Sequence, residues 1–77
     1  MVGNMVHLIF RHDLNRNELT LMSLHATFDG AYEKMKAERD YWENAGSKVT
    51  PDTKGGFMVE RPGKKWYFFV SSRTIDK

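Results

Sequence analysis

The chain has 77 residues, a formal net charge of +2, 40% apolar and 29% charged residues, and no cysteine. A chain of this length supports one domain, residues 1–77, whose single core contributes only roughly 3–5 kcal/mol, and the balance of apolar and charged residues argues for a folded domain over a disordered one. Lack of cysteine excludes disulfides and thiolate metal sites and fits a reducing, cytoplasmic setting.

Met5 to Phe10 is the longest N-terminal apolar run, but His7 interrupts it, Arg11 ends it and no basic segment precedes it. It is expected to be neither a signal peptide nor a membrane span. Val6-His7-Leu8-Ile9-Phe10 and Leu19-Thr20-Leu21-Met22-Ser23-Leu24 read instead as two strands, joined through the turn-forming Asp13-Leu14-Asn15-Arg16-Asn17. Alternation places Val6, Leu8 and Phe10 on one face of the first strand, and Met22, Leu24, Ala26 and Phe28 on one face of the second.

At Asp29 the period changes. Asp29 is a candidate helix cap, the segment to Ala45 has no proline and no glycine beyond its first turn, and Gly46 stands where helices leave through a left-handed residue. Ala31, Met35, Trp42 and Ala45 form a narrow apolar stripe, opposite Glu33, Lys36, Asp40 and Glu43, so the helix lays one side on the sheet. Glu38 falls inside that stripe. An inward carboxylate would need Arg61, His7 or His25 as partner; the favoured reading is a tilted helix that lets Glu38 reach water at the sheet edge.

Ser47 to Gly56, with Pro51 and Gly55-Gly56 and no apolar period, reads as a loop. Phe57-Met58-Val59-Glu60 is a third strand, and Arg61-Pro62-Gly63-Lys64 has proline and glycine at the central positions of a type II turn. A two-residue connection pairs Val59 with Trp66, Phe57 with Phe68, Met58 with Tyr67 and Glu60 with Lys65, and Ile75 extends the last strand. The expected fold is α+β: a four-stranded, mainly antiparallel sheet in β-β-α-β-β order with one amphipathic helix on one face.

The last strand, Trp66-Tyr67-Phe68-Phe69-Val70, is aromatic on both faces. Trp66, Phe68 and Val70 are assigned to the core, and Tyr67 and Phe69 to the other face with Met58, joined by Ile9, Leu19 and Leu21. One helix cannot cover both faces of the sheet, and an uncovered apolar face rimmed by charge marks an interface. Charge is divided along the chain: residues 1–47 carry five Lys or Arg against seven Asp or Glu, and residues 48–77 carry seven against three. The C-terminal hairpin is therefore the basic part, suited to an acidic protein surface or to phosphate. Tyr67 and Phe69 are the candidate anchors, Met58 an adaptable contact, and Arg61, Lys64 and Lys65 the steering rim.

The functional expectation is a non-enzymatic protein-binding module. No G-x-S-x-G, phosphate-binding glycine loop or paired carboxylates are present, and no cofactor is expected. His7 and His25 form at most a two-ligand metal corner with no third ligand, and half-buried or surface histidine is the expected role. Two other readings stand beside this one. Lys64-Lys65 next to Trp66-Tyr67-Phe68-Phe69 suits single-stranded nucleic acid, and the same outer face can close a homodimer core.

Phe28-Asp29-Gly30-Ala31-Tyr32-Glu33-Lys34 at the helix start and Trp66-Tyr67-Phe68-Phe69-Val70 in the last strand give the chain a layout that resembles small β-β-α-β-β proteins encoded by bacteriophages and prophages. The resemblance implies a stoichiometric binder of a host protein that modulates or inhibits its partner; it carries no site residues of its own.

Overall fold

A computed structural model describes residues 4–75, ordered as β1 (Asn4–Asp13), β2 (Glu18–His25), α1 (Phe28–Asn44), β3 (Lys48–Pro51), β4 (Phe57–Arg61) and β5 (Lys64–Ile75). The α+β architecture matches the expectation, and the strand count corrects it. The sheet has five strands in the order β2-β1-β5-β4-β3, and every neighbouring pair is antiparallel. The extra strand, β3, lies within the segment read as loop. It carries one apolar residue, Val49, that packs on the core, and it ends on Pro51, so it lacks the alternation that announces a strand. A short edge strand with lysine and proline is a common way to protect a sheet edge from further pairing.

The β4–β5 hairpin has the expected register at every position, Phe57 to Phe68 through Glu60 to Lys65, with Gly63 at φ 77° in the turn. That φ is the left-handed value a type II turn needs at its third residue. Parity then carries Trp66, Phe68 and Val70 to the helix side, where Phe68, Phe57 and Val59 are fully or almost fully buried with Ile9, Ala31 and Met35. Phe57 and Phe68 stack at 4.8 Å between ring centroids, and Trp42 from the helix lies 5.3 Å from Trp66. The core is thus an aromatic layer on β4 and β5 closed by one helical stripe.

Ile9 corrects the face assignment of β1. It is fully buried under the helix, opposite Val70, while Val6, Leu8 and Phe10 take the other face. Both faces of β1 are apolar, so alternation alone does not say which one the helix covers. On β2 a bulge between Ile9 and Phe10 of the partner strand makes Met22 the extra residue: Ser23 pairs with Ile9 and Leu21 with Phe10. Met22 packs on the core while Leu24 pairs with Leu8 on the opposite face, which separates two residues that alternation had placed together.

The helix starts earlier than expected. Thr27 is the cap, accepting the Gly30 N–H at 3.1 Å, Asp29 lies in the first turn, and Phe28 is helical and exposed instead of extending β2. At the other end the Gly46 and Ser47 N–H groups donate to Glu43 O and Trp42 O, both at 3.1 Å, a Schellman closure. Glu38 reaches Lys34 at 3.4 Å with 20% of its side chain exposed, so its partner is one helical turn away and none of the three residues considered. Ala31 and Met35 are buried and Trp42 half-buried, as the stripe required, whereas Ala45 is exposed at the cap.

Candidate interaction surface

Rows of register partners build the outer face of the sheet. One row crosses all five strands: Leu19, His12, Tyr67, Met58 and Thr50. The next is Leu21, Phe10 and Phe69, followed by Leu24, Leu8 and Ser71, then Val6 and Arg73. A charged row of Lys65, Glu60 and Lys48 borders the first on its other side. The face has an apolar centre of both aliphatic and aromatic residues with basic residues at its margins.

The expected anchors lie here. Met58, Tyr67 and Phe69 are half-buried, Tyr67 opposite Met58, and Phe69 stacked between Tyr67 at 5.7 Å and Phe10 at 5.5 Å. These rings lie face to face along the sheet, and among the described residues no helix lies over them. Leu19, Leu21 and Leu24 on β2 are 58%, 52% and 59% exposed, much more than an apolar residue within a covered sheet. Ile9, the remaining residue assigned to this face, lies in the core instead.

The basic rim is divided. Lys65 shares the parity of Tyr67 and pairs with Glu60 at 3.7 Å, so it borders the outer face. Lys64 lies over the Trp66 ring, 5.9 Å from its centroid, on the helix side of the sheet, and Arg61 is its register partner. Of the three residues assigned to the rim, the structure brings only Lys65 to the anchors. Lys48, Lys54 and Arg73 take the places that Arg61 and Lys64 were given: Lys48 sits opposite Glu60, Arg73 opposite Val6, and Lys54 beside Tyr67 and Phe69. Parity would have found Arg73 and the bulge-free β3 register would have found Lys48, had the segment been read as a strand.

Tyr67 is the best-supported side chain on this face. Its hydroxyl donates to Asp52 Oδ2. The other oxygen of Asp52 accepts the Lys54 N–H at 2.8 Å and the Gly56 N–H at 2.9 Å, and the Asp52 N–H donates to Gly56 O at 2.9 Å. The Tyr67 hydrogen bond, followed by those backbone donors and the Lys54 charge, outweighs desolvation and holds the Asp52 carboxyl below its ordinary 3.8. The same hydrogen bond, with desolvation and the carboxylate charge, raises the Tyr67 hydroxyl above its ordinary 10.0. The 52–56 loop is thus tied to the margin of the face at Tyr67, beside an open depression of about 360 Å³ lined by His12, Lys54, Gly56, Tyr67, Phe69 and Val70. From the far side, the first turn anchors the same strand: Leu14 N–H donates to Lys65 O at 3.0 Å, and Lys65 N–H donates to Asn15 Oδ1 at 2.7 Å.

No family model, curated protein or solved structure matches this chain.

On the helix side, His7 and His25 are register partners, nearer than the diagonal placement expected. Each is engaged by a serine: His7 Nδ1 and Ser72 Oγ share a hydrogen bond of 2.7 Å, and His25 Nε2 and Ser23 Oγ one of 2.9 Å. Among the described residues, no group of three or more His, Cys, Asp or Glu side chains is placed to hold a metal ion. No helix among them is long and apolar enough to cross a membrane.

Proposed function

We propose that this protein is a non-enzymatic binding module that recognises another protein through the outer face of its sheet, in the manner of a phage-type modulator or inhibitor of a host protein. The observation that carries the reading is the uncovered apolar centre formed by Leu8, Phe10, Leu21, Met58, Tyr67 and Phe69 within a border of Lys48, Lys54, Lys65 and Arg73. The partner implied has an apolar patch surrounded by acidic side chains. Tyr67 and Phe69 are the anchors and Met58 the contact that adapts.

The stacked Phe10, Phe69 and Tyr67 rings beside Lys54 favour single-stranded nucleic acid as the second reading, since bases stack on such rings. Aliphatic content favours the protein-binding reading: Leu8, Leu19, Leu21, Leu24 and Met58 share this face, and they offer a base nothing to pair or stack with. The test is a pull-down from nuclease-treated host lysate, wild type beside Tyr67→Ala/Phe69→Ala, with circular dichroism on both. A stoichiometric protein retained by wild type and lost from the folded double variant supports the module. Capture of nucleic acid alone, falling steeply with salt, overturns it in favour of the second reading.

A further inference from the structure

The two edges of the sheet are unlike. The β3 edge is four residues long, with Lys48 and Pro51. The β2 edge is eight residues long, Glu-Leu-Thr-Leu-Met-Ser-Leu-His, contains no lysine, arginine or proline, and among the described residues has β1 as its one neighbour in the sheet. Long edge strands without such residues are templates for a further strand, and proteins that remain single generally block them.

The bulge at Met22 determines what kind of strand fits. On its N-terminal side, Leu19 and Leu21 face outward from the helix, while Glu18 and Thr20 sit opposite Asp13 and Arg11 on the helix side. Beyond it the parity reverses: Leu24 faces outward, while Ser23 and His25 sit opposite Ile9 and His7. For a regular strand pairing with itself antiparallel, only registers that join two odd or two even positions keep like faces together. Here the reversal makes the opposite true. In the register that uses all eight residues, Leu19 meets Leu24 of a second copy, Thr20 meets Ser23, and Glu18 meets His25, with Leu21 and Met22 at the two-fold axis.

The three outer pairs keep their faces, and only at the axis do the faces differ, where Leu21 points outward and Met22 packs on the core. The Leu19 and Leu24 pairs join exposed apolar side chains across the outer face, and Thr20 and Ser23 match hydroxyls. The Glu18 carboxylate, already beside Arg16 at 3.6 Å, faces an imidazole instead of a like charge. We infer that two copies of this chain associate by antiparallel pairing of their β2 edges, producing one continuous sheet across a two-fold axis. The pairing is isologous, as a closed dimer requires. It draws on Leu21 but not on the aromatic anchors, and it leaves Tyr67 and Phe69 of both copies on one side of the joined sheet. It stands independently of the partner-binding reading.

The natural absence of cysteine makes the register directly testable. Opposed residues of an antiparallel pair have Cα atoms about 4.5–5.5 Å apart, within disulfide range. Leu19→Cys/Leu24→Cys should therefore form a covalent dimer on mild oxidation. Leu19→Cys or Leu24→Cys alone should not, because each position lies about 17 Å, five residues along the strand, from its own copy. Untreated wild type should sediment at twice its 9.0 kDa monomer mass. Leu21→Lys, at an exposed position on the axis, should weaken self-association by about tenfold or more with the far-ultraviolet spectrum retained. Monomer mass at every concentration tested overturns the inference. So does a dimer that survives Leu21→Lys, or one cross-linked equally well by either single cysteine.

Discussion

Gly56 offers the sharpest test of how the 52–56 loop is held against the sheet. A Cβ built there stands 2.6 Å from the Phe68 carbonyl oxygen, 3.1 Å from the Tyr67 hydroxyl and 3.2 Å from Asp52 Oδ2. The first of these is main chain of a central strand and has no rotamer to escape into, so the loop must move. Its movement breaks the Gly56 N–H to Asp52 bond of 2.9 Å and carries Asp52 away from Tyr67. Overpacking of this kind costs about 1–3 kcal/mol. With a lost hydrogen bond added, Gly56→Ala is expected to cost about 2–3 kcal/mol, or about 10–20 °C in Tm for a domain of this size. Gly55→Ala is the control. Gly55 has φ 89° and nothing within 4 Å of its would-be Cβ, so that variant bears only the roughly 1–2 kcal/mol of a left-handed non-glycine residue. Two assays separate them. Thermal melts by circular dichroism give the cost, and ultraviolet titration of tyrosinate reports the Asp52–Tyr67 bond. In Gly56→Ala the raised Tyr67 titration should return toward 10.0, and in Gly55→Ala it should stay raised. A Gly56→Ala protein that melts within about 2 °C of wild type, or that keeps the raised tyrosine, would refute the packing argument.

The Asp52–Tyr67 pair also sets a pH dependence. Asp52 is held below 3.8 in the fold, so its contribution is present above that value and lost as pH falls through the depressed one; Tyr67 is raised above 10.0, so its contribution is present below 10.0 and lost as pH rises through the raised value. Urea melts from pH 6 downward should show a loss of stability in wild type that is smaller in Asp52→Asn, and equal slopes would contradict the assignment. Removal of a ring should have opposite consequences on the two faces of β5. Phe68→Ala, at a fully buried position, should cost about 3–5 kcal/mol and leave the chain largely unfolded. Phe69→Ala, half-buried on the uncovered face, should remain folded with a reduced Tm, and melts showing the two variants alike would mean that the outer face is covered.

What could be read from the sequence was whatever a local rule determines. Pro62-Gly63 specifies a two-residue connection, that connection specifies the register, and the register assigns Phe68 and Tyr67 to opposite faces. The helix stripe and its end at Gly46 follow from period and cap chemistry in the same way. Face assignment on β1 did not follow, because Ile9 on one side competes with Val6, Leu8 and Phe10 on the other. The helix chooses the side where β5 and β4 place Phe68, Phe57 and Val59, a decision made by neighbours distant in sequence. The bulge at Met22 has no local signature either, since neither glycine nor proline marks it. Arg61 and Lys64 were placed on the rim by proximity in sequence to Tyr67, whereas parity and the Trp66 ring take Lys64 to the far side.

The outer face owes its shape to the sheet beneath it, and this bears on how it would bind. An exposed aromatic cluster ordinarily pays an ordering cost when a partner fixes its rotamers. Here Phe69 is already fixed by stacking between Phe10 and Tyr67, and Tyr67 is fixed in turn by Asp52, whose position depends on the Lys54 and Gly56 N–H groups. Order in the surface therefore runs back through the 52–56 loop, in which Lys54 alone belongs to the basic border. A substitution that loosens this loop without removing a contact, such as Asp52→Asn, would weaken binding through the free protein, by leaving more ring motion to be lost on association. The loop, more than any single ring, is what turns an uncovered sheet face into a preformed surface.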